Sequence, residues 1–201
     1  MVNRRTMKLI YFILFQFVLL LSFSACQNND YSPKPKAYYR IQYPEKSYRP
    51  LLAPVPFSFT YPKYATLEKD ISRDAQKYWY NLHFKQFNGF LHLTYYDFSG
   101  KKEYDEMVED ARKLAFKHTI KASAIDQKLI NYPDRKVYGI YYAIEGNTAS
   151  SVQFFLTDST KNYFRGALYF NERPHYDSIA PVINFIKKDI DTLISTFRWK
   201  N

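Results

Sequence analysis

The chain has 201 residues and a formal net charge of +10, and its 46% hydrophobic and 24% charged content is that of an ordinary globular protein rather than a disordered or fibrous one. Its single cysteine, Cys26, excludes a disulfide framework and a thiolate metal site. Its five glycines, at 89, 100, 139, 146 and 166, exclude the common phosphate-cradling loops and the nucleophile elbow of α/β-hydrolases.

Arg4, Arg5 and Lys8 precede an apolar run over residues 9–23, and Ser24-Ala25-Cys26 follows. A charged head, a greasy stretch shorter than the roughly 20 residues of a spanning helix and small residues before a cysteine predict a lipoprotein signal peptide over residues 1–25. Cys26 then becomes the first mature residue, acylated through its sulfur. Phe23 departs from the aliphatic residue usual at that position. Several acyl chains hold a protein at a bilayer permanently, where one holds it weakly. Loss of the signal leaves +7 on the mature chain, a charge that favours anionic partners. In an exported protein with dispersed basic residues those are phospholipid head groups, cell-wall polymers or acidic proteins, and nucleic acid is not expected.

Residues 26–56 hold six of the ten prolines and show little hydrophobic periodicity, which predicts an extended tether. Its Lys34, Lys36, Arg40, Lys46 and Arg49 interleave with Tyr31, Tyr38, Tyr39, Tyr43 and Tyr48. Such a segment suits contact with anionic lipid or glycan, docking on a partner, or a plain solvated spacer.

A single globular domain is predicted over residues 57–201. Phe57, Phe59 and Tyr61 alternate with polar residues as in a strand that Pro62 ends. Residues 79–87 and 90–96 flank Asn88-Gly89 and predict a hairpin with a two-residue turn. In that register Tyr80, Leu82, Phe84, Leu91, Leu93 and Tyr95 form an apolar face. Trp79, Asn81, His83, Lys85, His92 and Thr94 form the other. After Ser99-Gly100, the stripe Tyr104, Met107, Val108, Ala111, Leu114, Ala115 and His118 predicts a helix, with acids crowding its start and bases its end as the helix dipole favours. Residues 137–144, 150–157 and 163–170 read as three antiparallel strands joined by short turns. A last helix starts near Asp177, tolerates Pro181 in its first turns and runs to about Phe197. The order predicts an α+β domain: a mainly antiparallel sheet with two packed helices, for which a three-layer arrangement resembling the PsbP and Mog1 fold fits.

The four histidines, at 83, 92, 118 and 175, lack the spacing of a zinc pair, and no cofactor or metal site is expected. The best local candidate for ligand binding is His83 with His92, diagonal on one hairpin face with Trp79 nearby. Histidines of that kind also commonly cap a half-buried sheet, and His118, on the helix stripe, reads as a core residue. Asp158-Ser159-Thr160 invites a hydrolase triad, but turn chemistry accounts for the same residues. Asp97 and Glu145 cannot be paired as glycosidase carboxylates from sequence. No catalytic pattern is found.

The segments AYYRIQYPEKSYRPL, PFSFTYPKYA, GFLHLTY, ARKLAFKHTIKA, SSVQFFLTDSTKNYFRGALYF and VINFIKKDIDTLISTFRWK run through the mature chain. In them it resembles the gliding-motility lipoprotein GldD family of Bacteroidetes. The resemblance implies a cell-envelope lipoprotein needed for gliding, facing the periplasm from the inner or outer membrane and working beside the type IX secretion machinery. No functional position beyond Cys26 transfers with it. Two readings follow: a non-catalytic interaction component of the gliding and secretion apparatus, or an envelope enzyme or glycan binder acting on peptidoglycan or exopolysaccharide through an aromatic, basic cleft near Trp79 and His83.

Overall fold

A computed structural model describes Arg4, Met7, Ile10 and residues 12–17, 40–172 and 175–200. Two units are resolved, Met1–Arg40 and Ile41–Asn201. In the first, the described residues up to 17 are helical and exposed. Cys26 and most of the predicted signal and tether lie outside the described residues.

The second unit is organised by seven antiparallel strands: β4 (Thr66–Lys69), β5 (Tyr80–Phe84), β6 (Gly89–Asp97), β7 (Ala122–Tyr132), β8 (Val137–Gly146), β9 (Ser150–Thr157) and β10 (Asn162–Phe170). Their order in the sheet is β4-β5-β6-β10-β9-β8-β7. Side chains alternate across it, so each face needs its own cover. The long C-terminal helix α2 (Tyr176–Thr196) covers one face, where Ile186, Ile190 and Leu193 meet Leu82, Leu91, Phe154, Leu156 and Phe164. Helix α1 (Lys101–Phe116) lies on the other, placing Ala111 and Ala115 against Tyr142, Ile144, Phe155 and Tyr163. The protein is therefore an α+β fold of three layers, helix on sheet on helix. Gly166 makes room for the core on the α2 face: a Cβ there would stand 2.3 Å from the Phe154 ring that crosses it.

The hairpin closes differently from the predicted two-residue turn. A 3-10 turn over Lys85–Phe87 and a left-handed Asn88 connect the strands, so His83 faces Phe90 and Asn81 faces His92. The register moves by an even number of residues, which leaves every side chain on its predicted face. Strand β7 adds to the elements that the sequence predicts. It is an edge strand, exposed at most of its positions, and so lacks the hydrophobic alternation that marks a half-buried strand. The α1 helix starts where predicted, and Glu103 in its first turn accepts the backbone N–H of Ser99, just ahead of the N-cap Gly100, at 2.7 Å.

The predicted tether boundary at Pro56 is also moved, because the compact unit begins at Ile41. Strand β1 (Tyr48–Pro50) pairs with β3 (Thr60–Pro62), while Leu51 and Val55 are buried in the α2-side core. Prolines erase the periodicity that would mark such a segment, which is held by side chains instead. Asp189, on α2 and 2% exposed, receives Lys46 Nζ at 2.6 Å, the Tyr48 hydroxyl at 2.9 Å and the Tyr64 hydroxyl. Lys46 also donates to the Phe185 carbonyl at 2.9 Å and sits 3.4 Å from the centre of the Phe185 ring. The segment before the sheet is tied to the residues after α2 again where β2 (Phe57–Ser58) pairs with β11 (Arg198–Trp199).

Removing one partner of a buried ion pair leaves an uncompensated charge, whereas replacing both with apolar residues does not. Lys46→Met is expected to cost about 3 kcal/mol in urea unfolding, and Lys46→Met with Asp189→Leu to recover most of that loss.

Candidate functional site

Among the described residues, helix α1 covers its face of the sheet only in part, and the rest of that face is built by β5, β6 and β10. Cross-strand register sets His92 beside Ala167, Thr94 beside Arg165 and Tyr96 beside Tyr163. Where this surface meets the helix there is a groove of about 490 Å³. Thr94, Tyr96, Tyr163 and Arg165 come from the sheet, Met107, Asp110, Ala111 and Leu114 from α1, and Trp79 from the residue just before β5.

The polar groups of the groove are held in place from behind. Arg165 donates to Gln153 Oε1 at 2.6 Å, and Gln153, 2% exposed, donates in turn to the Leu114 carbonyl at 3.5 Å. A guanidinium fixed on one side keeps its other donors for an incoming acceptor. The Tyr163 hydroxyl donates to the Met107 carbonyl at 3.2 Å, and burial raises its pKa well above the phenolic value. Trp79 donates its indole N–H to the Tyr95 carbonyl at 3.1 Å and meets the Tyr96 ring edge-on, with centroids 5.5 Å apart. The groove thus combines rings, aliphatic groups, one oriented cation and the Asp110 carboxylate, which suits a ring-shaped or apolar body bearing strongly polar substituents. Its lining includes no histidine, cysteine or serine.

Of the three residues singled out from sequence, only Trp79 lines this groove. His83 stacks on Phe90 with centroids 4.1 Å apart, and Phe90 lies 6.1 Å from His92, which meets Tyr169 edge-on at 5.4 Å. His92 Nδ1 donates to Asn81 Oδ1 at 2.5 Å. Burial lowers the pKa of His92, Asp70 opposes the shift and Arg165 adds to it. Both imidazoles therefore share one face, as the sequence predicts, but they are engaged with neighbours rather than converging on a common point with Trp79. His118 sits in the turn beyond α1, half-buried, its pKa lowered by burial and then by Lys117 and Arg165. Arg165 and Gln153 were not singled out, although a lone cation of the same parity as Tyr163 within an apolar strand is a readable signal.

The Asp158 turn is built by its own carboxylate. Asp158 Oδ1 accepts the backbone N–H groups of Thr160, Lys161 and Asn162, each at 2.9 Å, and Oδ2 accepts the Asn162 amide at 2.6 Å. Burial would raise this carboxyl, but the four hydrogen bonds together outweigh it and hold the pKa below the usual carboxylate range.

A family model described as gliding motility lipoprotein GldD matches residues 28–199. No curated protein matches the chain. Among solved structures it is similar to the solution structure of cyanobacterial PsbP (CyanoP) from Synechocystis sp. PCC 6803, at 10% identity and a TM-score of 0.46, over 78% of this chain and 94% of that one.

Because burial favours neutral His92, the folded state binds its proton less readily than the unfolded chain. The contribution is complete above the ordinary histidine pKa and is lost as pH falls below it, toward the folded value. From about pH 7.5 to about pH 5 the urea midpoint of the unsubstituted protein should drop further than that of His92→Gln.

Proposed function

Since the chain belongs to the gliding-motility lipoprotein GldD family, we propose that it is a lipid-anchored, non-catalytic interaction component of the gliding apparatus, working beside the type IX secretion machinery in the Bacteroidetes cell envelope. The observation that carries this reading is the family match from residue 28 to residue 199, which takes in nearly all of the segment after Cys26 and all but the last two residues of the folded unit. Lipid on Cys26 then replaces any need for a spanning segment, and no helix among the described residues is long and apolar enough to cross a membrane.

The length of the N-terminal segment refines the role. With the compact unit starting at Ile41, the roughly fifteen residues after Cys26 reach at most ~50 Å, so the domain works close to its membrane. The basic residues of that short leash are kept beside anionic head groups, where each contributes about 1 kcal/mol to attraction. The membrane is one partner, through the anchor; envelope proteins of the gliding and secretion machinery are the other.

The oriented Arg165 beside Trp79 and Tyr96 favours a second reading, in which the groove binds an envelope glycan and the protein acts on, or recognises, peptidoglycan or exopolysaccharide.

Cys26→Ala should abolish metabolic labelling with palmitate and, with it, gliding; label that persists refutes lipidation at this residue. His83→Ala, His92→Ala and Arg165→Met should each leave gliding intact at normal protein level if the protein works through protein partners. Loss of gliding in Arg165→Met, together with binding of purified cell-wall fragments that this substitution abolishes, decides for the glycan reading.

A further inference from the structure

Strand β7 is the outer edge of the seven-stranded sheet and is paired on one side only, with β8, from Ala122 to Tyr132. An antiparallel strand turns the N–H and C=O groups of alternate residues outward, and an open edge eleven residues long is a template for another chain. The other edge, β4, has four residues.

What the β7 edge suits is written in its own side chains. Asp126 and Lys128 flank Gln127, are exposed, and have no ion pair among the described residues. Leu129 is 73% exposed on the α1 side, the same side as the partly buried Ile125. We propose that β7 is a self-recognition edge, through which two copies of this protein join their sheets antiparallel about a two-fold axis at Gln127.

The register follows from the sequence. Around Gln127, Asp126 of each copy faces Lys128 of the other, Ile125 faces Leu129 and Ala124 faces Ile130, so the regular part of the strand, from the bulge before Ala124 onward, is used. Two opposite-charge pairs form on one face and two apolar pairs on the other, where they cover the exposed Leu129. Moving the axis by one residue in either direction sets Asp126 against Asp126 or Lys128 against Lys128, and like charges directly opposite are destabilising. A chain of unrelated sequence has no reason to match this arrangement, whereas a second copy matches it by construction.

The test uses the lipidated protein in its native membranes. Residues directly opposite across an antiparallel pair have Cα atoms about 4.5–5.5 Å apart, within disulfide reach. Gln127→Cys, at an exposed position, should give a disulfide-linked dimer of twice the chain mass under mild oxidation. The unsubstituted chain and Glu68→Cys, exposed on the opposite edge, should not. Added to Gln127→Cys, Asp126→Lys or Lys128→Asp alone should lower the dimer fraction severalfold, and the two together should restore it. The proposal is overturned by absence of dimer from Gln127→Cys, by equal dimer from Glu68→Cys, by an adduct with a protein of different mass, or by a double charge swap that crosslinks no better than the single ones.

Discussion

The structure turns on one carboxylate placed where water cannot reach it. Asp189 lies on the buried side of α2, and its two oxygens are met by Lys46, Tyr48 and Tyr64. An isolated charge at such a depth is prohibitively costly, so α2 can pack in this orientation only if the N-terminal segment arrives to satisfy it. Conversely, that segment has too little apolar periodicity to hold itself in place, and the Asp189 contacts together with Leu51 and Val55 fix it. The burial of Lys46 lowers its pKa and Asp189 opposes that shift, as expected for an ammonium kept charged by its partner in a partly dry site.

That clamp also explains why the two faces of the sheet differ. Seven strands span about 30 Å, and one helix of about 10 Å diameter covers only a fraction of that width. On the α2 side the deficit is made up by the N-terminal segment, whose Phe57 and Phe59 join Phe164 and Phe197 in the core. On the α1 side nothing equivalent exists among the described residues, because the segments that flank the sheet in the second unit, Tyr48–Pro62 and Phe197–Trp199, pack on the opposite face. The area beyond α1 is left as a half-open floor of His83, Phe90, His92 and Tyr169, with the Arg165 groove along the helix. The candidate site is thus a by-product of where the segments flanking the sheet pack.

How much of this can be read from the sequence depends on whether a signal is local and periodic. Alternation placed Leu82, Leu91 and Leu93 in the core and His83 and His92 together on the other face, and it survived a shift of hairpin register because the shift was even. The charge gradient marked α1, and the Asp158 turn followed from the habit of Asp to bond nearby backbone. What stayed hidden was non-local. Nothing in the Lys46 to Tyr48 stretch announces a carboxylate more than 140 residues away in sequence, and Gln153 gains its meaning only once β9 lies between Arg165 and α1. Strand β7 was missed because a strand with a partner on one side and solvent on much of its surface has no face to advertise.

The same lack of a buried face makes β7 the least constrained part of the sheet, and the protein treats its two edges differently. At β4 the edge is kept short and carries Glu68 and Lys69 at its exposed end. At β7 length is retained and charge is used instead, the usual deterrent to indiscriminate strand pairing. Asp126 and Lys128 deter most incoming strands, since an arbitrary chain leaves one of them facing an apolar or like-charged residue. Because they stand symmetrically about Gln127, the pair that rejects other partners is satisfied by its own image, and a device for preventing aggregation becomes one for selecting a single arrangement.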